Sequence, residues 1–115
     1  MSRDQAAYVA DMLEACERIC SYVVDLNERT LRDDTRTVDA ILRNLAVLGE
    51  AAKRVSDPTR DLTPAVPWRP IAGLRDVVIH DYFGVDLDIV CDVTFAKVPP
   101  LREELKRLLT RLDAP

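Results

Sequence analysis

The sequence predicts an all-α protein, folded as an antiparallel bundle of four or five helices. Apolar residues recur at alternating steps of three and four along most of the chain, which is the spacing of amphipathic helices. Only three of the 115 residues are glycine, 5% are aromatic, and no stretch alternates apolar and polar residues as a strand does. A chain of this length suits one domain, so we expect residues 1–115 to form a single helical domain.

The first predicted helix carries a wide apolar face over residues 8–26. Ser2 and Gln5 have the spacing of a capping box at its start, and the polar run over residues 27–34 fits its end. The face comprises Tyr8, Met12, Ala15, Ile19, Tyr22 and Leu26, with Val9, Leu13, Cys16, Cys20 and Val23 beside it.

A second helix is predicted to start at Asp34 or Thr35 and to be closed by Pro58. Its apolar face comprises Val38, Ile41, Leu42, Leu45, Leu48, Ala52 and Val55. Prolines at four positions within residues 58–70 then predict a stiff surface connection with room for a turn of helix.

A third, shorter helix is predicted from Ile71 to His80 or Tyr82, and Gly84 is placed to end it. A fourth helix begins around Asp86, whose side chain suits a helix cap. The last helical segment starts with two prolines and continues with regularly spaced leucines, at Pro99, Pro100, Leu101, Leu105, Leu108 and Leu112.

The charge balance indicates that this chain is not a protein that coats nucleic acid or membrane through its overall charge. Sixteen Lys and Arg residues against 20 Asp and Glu residues give a net charge of −4. Residues 1–34 hold four basic and eight acidic side chains, whereas residues 35–82 hold seven and six and are therefore at +1. Any anion that binds this chain must meet a local site.

The expected compartment is the cytoplasm. The first 13 residues lack the basic and apolar regions of a secretory signal, and no uncharged stretch approaches the ~20 residues that cross a bilayer. The cysteines at 16, 20 and 91 are odd in number and have no neighbouring His, which fits small buried side chains better than a zinc site. We expect no bound metal.

The residues that could perform chemistry are concentrated around His80, the only histidine. On a continuous helix, Asp76 lies four residues before His80 on the same face and could orient one ring nitrogen. Arg75 shares its direction with Tyr82 but is rotated by about 140° from His80. One ideal helix therefore does not bring Arg75 and His80 together, so either the helix unwinds near Gly84 or a second copy completes the site.

A purely structural interpretation of these residues is also open. A histidine in the last turn of a helix interacts favourably with exposed carbonyls and with the negative end of the helix dipole. An arginine one turn earlier is commonly a surface ion-pair partner, and the aromatic pair that follows His80 could belong to the core.

Three segments of the chain resemble segments of one protein family, and they occur in the same order along the sequence. Residues 67–86 contain Arg75, four residues, His80, one residue and Tyr82; residues 44–53 contain Gly-Glu-Ala; and Leu-Asp-Ile-Val at 87–90 is followed by Pro-Pro-Leu at 99–101. Over about residues 38–112 the chain resembles the HepT-like toxins of the HEPN superfamily. The resemblance implies a helical bundle of HEPN type and favours a functional interpretation of the three motif residues.

The resemblance also implies an activity and two protein partners. It implies a homodimer in which two motifs face each other as a metal-independent endoribonuclease site, without a cofactor. It implies a second partner, a minimal nucleotidyltransferase antitoxin of MNT type that transfers AMP to Tyr82. A bulky anionic adenylyl group beside Arg75 would occupy the place of the RNA phosphate and repel it.

The chemistry of the motif residues fits cleavage of RNA. His80 suits proton transfer because imidazole titrates near neutral pH, and Arg75 suits stabilisation of charge on the phosphorane. Two departures from the family pattern stand out: Asp76 replaces the asparagine of many HEPN nucleases, and Cys91 replaces a bulky aromatic residue. Asp76 lowers the positive potential at a phosphate site, which weakens the expectation of strong catalysis.

Other candidates have two interpretations each. Trp68 and Arg69 could stack on or clamp a flanking base, although Trp68 could equally pack the proline-rich connection onto the bundle. Glu50 could face the motif helix and hold Arg75 or His80, or it could be a solvated carboxylate. Carboxylates at 86, 88 and 92 could bind a metal, but such residues more often cap and solvate a helix.

Two further functions from other classes are compatible with the sequence. The chain could be a non-catalytic HEPN binding module that partners the nucleotidyltransferase and presents Tyr82 for modification. It could also be a plain dimerisation bundle that tolerates alanine at Arg75 and His80. An RNase assay, together with the intact mass of the protein after co-expression with the nucleotidyltransferase, separates these functions from a nuclease.

Overall fold

The structure is a computed structural model that describes the backbone of residues 2–79 and 84–113. Within these residues every regular element is helical, which confirms the all-α class, and one isolated β-bridge is the exception. The long helices are α1 (Ser2–Tyr22), α3 (Thr35–Arg54) and α8 (Val98–Asp113). The short helices are α2 (Glu28–Arg32), α4 (Asp57–Arg60), α5 (Trp68–Ala72), α6 (Leu74–Val78) and α7 (Leu87–Asp92).

Helix α1 lies between α3 and α8 and packs against both. It is antiparallel to α3, because Gln5 at its start contacts the backbone just after α3, while Tyr22 at its end accepts a hydrogen bond from Asn44. The core between these helices is aliphatic, as predicted, and its fully buried members include Met12, Ile19, Ile41, Leu45, Leu105 and Leu108. Burial of such side chains is the main stabilising contribution to the bundle.

The two ends of α1 differ from the prediction. The helix already includes Ser2, so Ser2 is not the residue that precedes it, and the predicted capping box is wrong. Gln5 instead accepts a hydrogen bond from the Ser56 N–H at 2.7 Å and donates to the Arg54 carbonyl at 3.3 Å. The polar run after α1 is not a simple loop but contains α2, which Asn27 caps.

Helix α3 begins and ends where the sequence predicts. Asp34 caps it and accepts hydrogen bonds from the backbone N–H and the hydroxyl of Thr37, at 3.0 and 2.8 Å. These two hydrogen bonds hold the pKa of the Asp34 carboxyl below its usual value. The helix ends at Arg54, ahead of Pro58, and its predicted apolar face is buried except at the half-buried Leu42.

The third predicted helix, from Ile71 to His80 or Tyr82, is wrong in its extent. It is divided at Gly73 into α5 and α6, and α6 ends at Val78. Ile79 is extended and pairs with Val85 in the β-bridge. The β-branched residues 77–79 favour this early end, because their side chains lose rotamer freedom in a helix and suit an extended backbone.

The C-terminal part is one continuous helical stretch with a wide turn in its middle. Asp86 caps α7 as predicted, by accepting a hydrogen bond from the Ile89 N–H at 3.1 Å. Residues 93–97 form a π-helical turn that leads into α8, whose first turn holds the two predicted prolines. Because proline has no N–H and clashes with the carbonyl four residues earlier, the ordinary hydrogen-bond pattern cannot continue there. The Val98 N–H therefore donates to Val93, five residues earlier.

The cysteines are free, as expected for small packed side chains. Cys16 and Cys91 are buried and Cys20 is half-buried. Burial raises the pKa of the Cys16 thiol to about 12, and it also raises the pKa of Cys91. Within residues 2–79 and 84–113, no helix combines the length and apolar character that a membrane span requires.

Candidate active site

The segment that carries the motif is fixed to α3 by a close helix contact. Gly49 lies on α3 opposite the end of α5, and a Cβ atom at this position would lie 3.1 Å from the carbonyl oxygen of Ile71. Only glycine gives α5 this close approach without a shift of the backbone. Ile71 on α5 and Val78 on α6 are buried beneath the segment, so it has a fixed position on the bundle.

Helix α6 presents charged and apolar side chains to solvent on the same surface. Arg75 and Asp76 are exposed, and Val77 retains 47% of its accessible surface. Arg75 forms no ion pair with another described residue. An exposed guanidinium without a carboxylate partner is available to an external anion.

Backbone contacts hold the chain on both sides of the remaining motif residues. Ile79 and Val85 form the β-bridge, and the Asp86 N–H donates to the Val78 carbonyl at 2.8 Å. His80 and Tyr82 lie outside the described residues, so their roles remain predictions. Because α6 ends at Val78, a shared helical face is no longer a reason to pair Asp76 with His80.

Among the described residues, the contacts of Glu50 fit the second of its two interpretations. Its carboxylate is exposed and accepts a hydrogen bond from Lys53 at 3.3 Å, and it makes no contact with Arg75 among the described residues. It lines a groove between α1 and α3, together with Tyr8 and Arg43. The Gly-Glu-Ala segment therefore places Gly49 against α5, whereas Glu50 belongs to the solvated face of α3.

Trp68 and Arg69, the two candidates for contact with a flanking base, differ in exposure. Trp68 retains only 7% of its accessible surface, and the guanidinium carbon of Arg60 lies 5.7 Å from the centroid of its ring. This arrangement favours packing of the proline-rich connection over base stacking for Trp68. Arg69 is exposed and close in sequence to Arg75, so it stays a candidate for an RNA contact.

Sequence reasoning missed an apolar pocket of about 580 Å³ beside the motif helix. Leu48, Pro70 and Leu74 line one side, and Val93 and Leu101 line the other. Pro67, Pro70 and Pro100 also line the pocket, and these prolines are the only sequence signal for it.

Two of the three acidic residues around α7, Asp86 and Asp88, have structural partners. Asp86 caps the helix, and Asp88 accepts a hydrogen bond from Arg32 of α2 at 2.7 Å. No cluster of three metal-binding side chains occurs in the part of the chain that the structure describes.

Comparison with known proteins assigns the chain to a family. The model of the family described as "Ribonuclease HepT-like" matches residues 12–108. The chain belongs to the HepT-like ribonuclease family. The match includes the whole motif segment and both α3 and α7, so the HepT-like resemblance of the sequence is confirmed.

Two individual proteins match over nearly their whole length. The chain is 32% identical to "Putative RNase MJ0127" of Methanocaldococcus jannaschii over 96% of this chain and 92% of that protein. It is also 32% identical to "Probable ribonuclease HepT" of Thermococcus cleftensis over 94% of this chain and 98% of that protein. No solved structure matches the chain.

Cys91 is a buried residue that departs from the pattern of the HepT-like family. This residue stands where the family resemblance leads us to expect a bulky aromatic side chain, yet it is fully buried, with its sulfur 4.0 Å from the Glu28 carbonyl oxygen of α2. In this HepT-like chain the smaller side chain therefore lies in the contact between α2 and α7.

Proposed function

We propose that this HepT-like chain is the toxin of a toxin–antitoxin pair, an endoribonuclease that cleaves RNA without metal at a site shared by two copies. The observation that carries the proposal is the motif of Arg75, His80 and Tyr82 in a HepT-like chain, with Arg75 exposed and unpaired among the described residues. The anchored helix α6 supports it, because a phosphate-binding cation must be held in place to act in catalysis.

The proposed reaction is an internal transfer within RNA. The ribose 2′-oxygen attacks the adjacent phosphorus and loses its proton to one imidazole. The bond from phosphorus to the 5′-oxygen breaks, and a second imidazole gives that oxygen a proton. The products are a 2′,3′-cyclic phosphate and a free 5′-hydroxyl. Arg75 stabilises the additional negative charge of the phosphorane through its planar, permanently charged guanidinium.

This reaction requires two copies of the chain. One imidazole must accept a proton while another donates one, and each chain has a single histidine. In a homodimer with two-fold symmetry the two motif segments supply one His80 each. The two copies also supply two Arg75 guanidiniums that can contact the phosphate.

Silencing by a nucleotidyltransferase antitoxin of MNT type follows from the same site. Transfer of AMP to the Tyr82 hydroxyl would attach a phosphodiester and an adenosine next to Arg75. The attached phosphate competes with the RNA phosphate for the guanidinium, and the nucleoside blocks access to the site. Expression of the chain without the antitoxin is therefore expected to stop growth of the host cell.

Cleavage of RNA in excess chelator tests the proposal. We expect the purified protein to degrade a single-stranded RNA in EDTA, and we expect Arg75→Ala, which loses the proposed phosphate contact, to be slower by about 100-fold or more. The variant also controls for contaminating nucleases, since both proteins are purified alike. Cleavage that requires added metal, or equal cleavage by both proteins, would contradict the proposal.

A further inference from the structure

A row of mostly exposed residues runs along the solvent-facing side of α3, next to its boundary with α1. We call it the outer face of α3. It comprises Arg36, Asp39, Arg43, Ala46, Val47, Glu50 and Arg54. Apart from the adjacent Ala46 and Val47, successive members are spaced by three or four residues, so they share one side of the helix. The charged members are exposed, and the two small central residues are half-buried.

The middle of the outer face is a shallow groove rather than a smooth surface. Ala46, Val47 and Ala51 line a depression of about 420 Å³ along the boundary with α1. Arg43, Glu50 and Arg54 also line it. Small residues at the centre with charged residues at both ends permit close approach of a second helix.

The charges of the outer face are complementary to the same face in reverse order. An antiparallel copy that is centred between Ala46 and Val47 places Arg43 opposite Glu50 and Asp39 opposite Arg54. Each pair occurs twice because the arrangement is symmetric, which gives four pairs of opposite charge across the contact. If the second copy is shifted along α3 by one helical turn, like charges face each other. A shift in one direction places Arg43 opposite Arg54, and a shift in the other direction places Asp39 opposite Glu50.

We propose that the second copy of this chain docks on the outer face of α3, in this antiparallel register. The inference rests on the proposed function in one respect: the docking surface is the one that would bring two copies together to form the proposed shared nuclease site. We choose a second copy as the occupant because opposite charges face each other in this symmetric register, whereas like charges face each other in the neighbouring registers. The exposed pair of Lys53 with Glu50 does not oppose docking, since such surface pairs are weak and exchange readily.

The same register completes the candidate active site. The two-fold axis lies in the contact plane and is perpendicular to α3. It reverses the direction of the helix, but a feature on one side of α3 in the first copy lies on the same side of the dimer in the second copy. Gly49, which contacts α5, is on one side of the outer face, and Tyr8 of α1 is on the other. Both copies of α6 therefore lie along the same edge of the dimer. Gly49 is only about 4 Å along the helix from the axis, so the two motif segments lie close together.

Charge reversal tests the docking surface. Arg43→Glu or Glu50→Arg converts two pairs of opposite charge into like-charge pairs, and we expect either change to raise the dimer dissociation constant by about 100-fold or more. In a heterodimer of the two variants, the introduced glutamate faces the introduced arginine, and the unchanged Arg43 faces the unchanged Glu50. We therefore expect dimers to reappear when the variants are mixed. Sedimentation equilibrium measures both results, with Arg29→Glu and Glu17→Arg as matched controls outside the face.

The outcomes separate the surface from the activity. Monomeric single variants whose mixture is dimeric, with RNA cleavage lost and regained in parallel, support the inference. Single variants that stay dimeric, or a mixture that stays monomeric, overturn the inference, and the proposed function still stands if the wild-type protein cleaves RNA. A wild-type dimer that cleaves no RNA contradicts the proposed function but not the surface. Circular dichroism verifies that each variant is folded.

Discussion

Replacement of His80 by alanine is expected to lower the rate of RNA cleavage by at least about 100-fold, the usual contribution of a general acid or base. Each copy has one histidine, so the change removes both the base that accepts the 2′-hydroxyl proton and the acid that protonates the leaving oxygen. For the wild-type protein we expect a bell-shaped dependence of cleavage rate on pH. One imidazole must be neutral while the other is protonated, and imidazole has an ordinary pKa of about 6.5.

The pH profile separates a catalytic histidine from a structural one. The residual cleavage by His80→Ala should have lost the bell shape between about pH 5 and pH 9, while the variant should still bind RNA through Arg75 and Arg69. Single-turnover kinetics measures cleavage, and fluorescence anisotropy measures binding. Wild-type rates and an unchanged pH profile in His80→Ala would remove the proposed mechanism.

Replacement of Gly49 by valine is expected to separate the motif segment from the bundle. Its Cβ would lie 3.1 Å from the Ile71 carbonyl oxygen, and the two methyl groups extend further into the end of α5. Overpacking of this kind typically costs about 1–3 kcal/mol of unfolding free energy. RNA cleavage should fall as well, because α5 and α6 must move away from α3. Urea denaturation measures the stability change.

Gly73 provides the matched control for this steric argument. A Cβ at Gly73 would have only an ordinary contact, at 3.8 Å from the Arg69 carbonyl oxygen, and its φ of −94° suits any residue. Gly73→Ala should therefore keep wild-type stability and cleavage to within a small factor. A Gly49→Val variant as stable and as active as Gly73→Ala would show that the close contact of α3 with α5 does not position the site.

The long helices could be predicted from sequence because local signals and apolar spacing agree there. Asp34 and Asp86 each have a side-chain oxygen suited to a helix cap, and both form capping hydrogen bonds, as predicted for Asp86. The buried faces of α1 and α3 follow from spacings of three and four residues, which only a helix places on one side. Consistent local preferences of this kind usually define an element without tertiary information.

The true extent of the third predicted helix, which carries the motif, could not be predicted because tertiary contacts determine where it is interrupted and where it ends. Apolar spacing from Ile71 to Val78 favours one continuous helix, but the carbonyls at the end of α5 contact Gly49 and the chain is interrupted at Gly73. Ile79 then pairs with Val85, a partner that no local pattern identifies. The separate positions of Arg75 and Glu50 likewise depend on which side of α3 receives α6, and helical spacing alone does not specify that side.

A site shared between two copies has a direct test in mixed dimers. Wild-type and His80→Ala chains are unfolded together in equal amounts, refolded, and assayed in EDTA at a concentration where dimers form. If cleavage requires a His80 from each copy, only wild-type homodimers are active, so the activity should fall to about one quarter of an all-wild-type sample. A fall to about one half would show that a single His80 suffices for each cleavage, and it would contradict a site that uses one His80 from each copy.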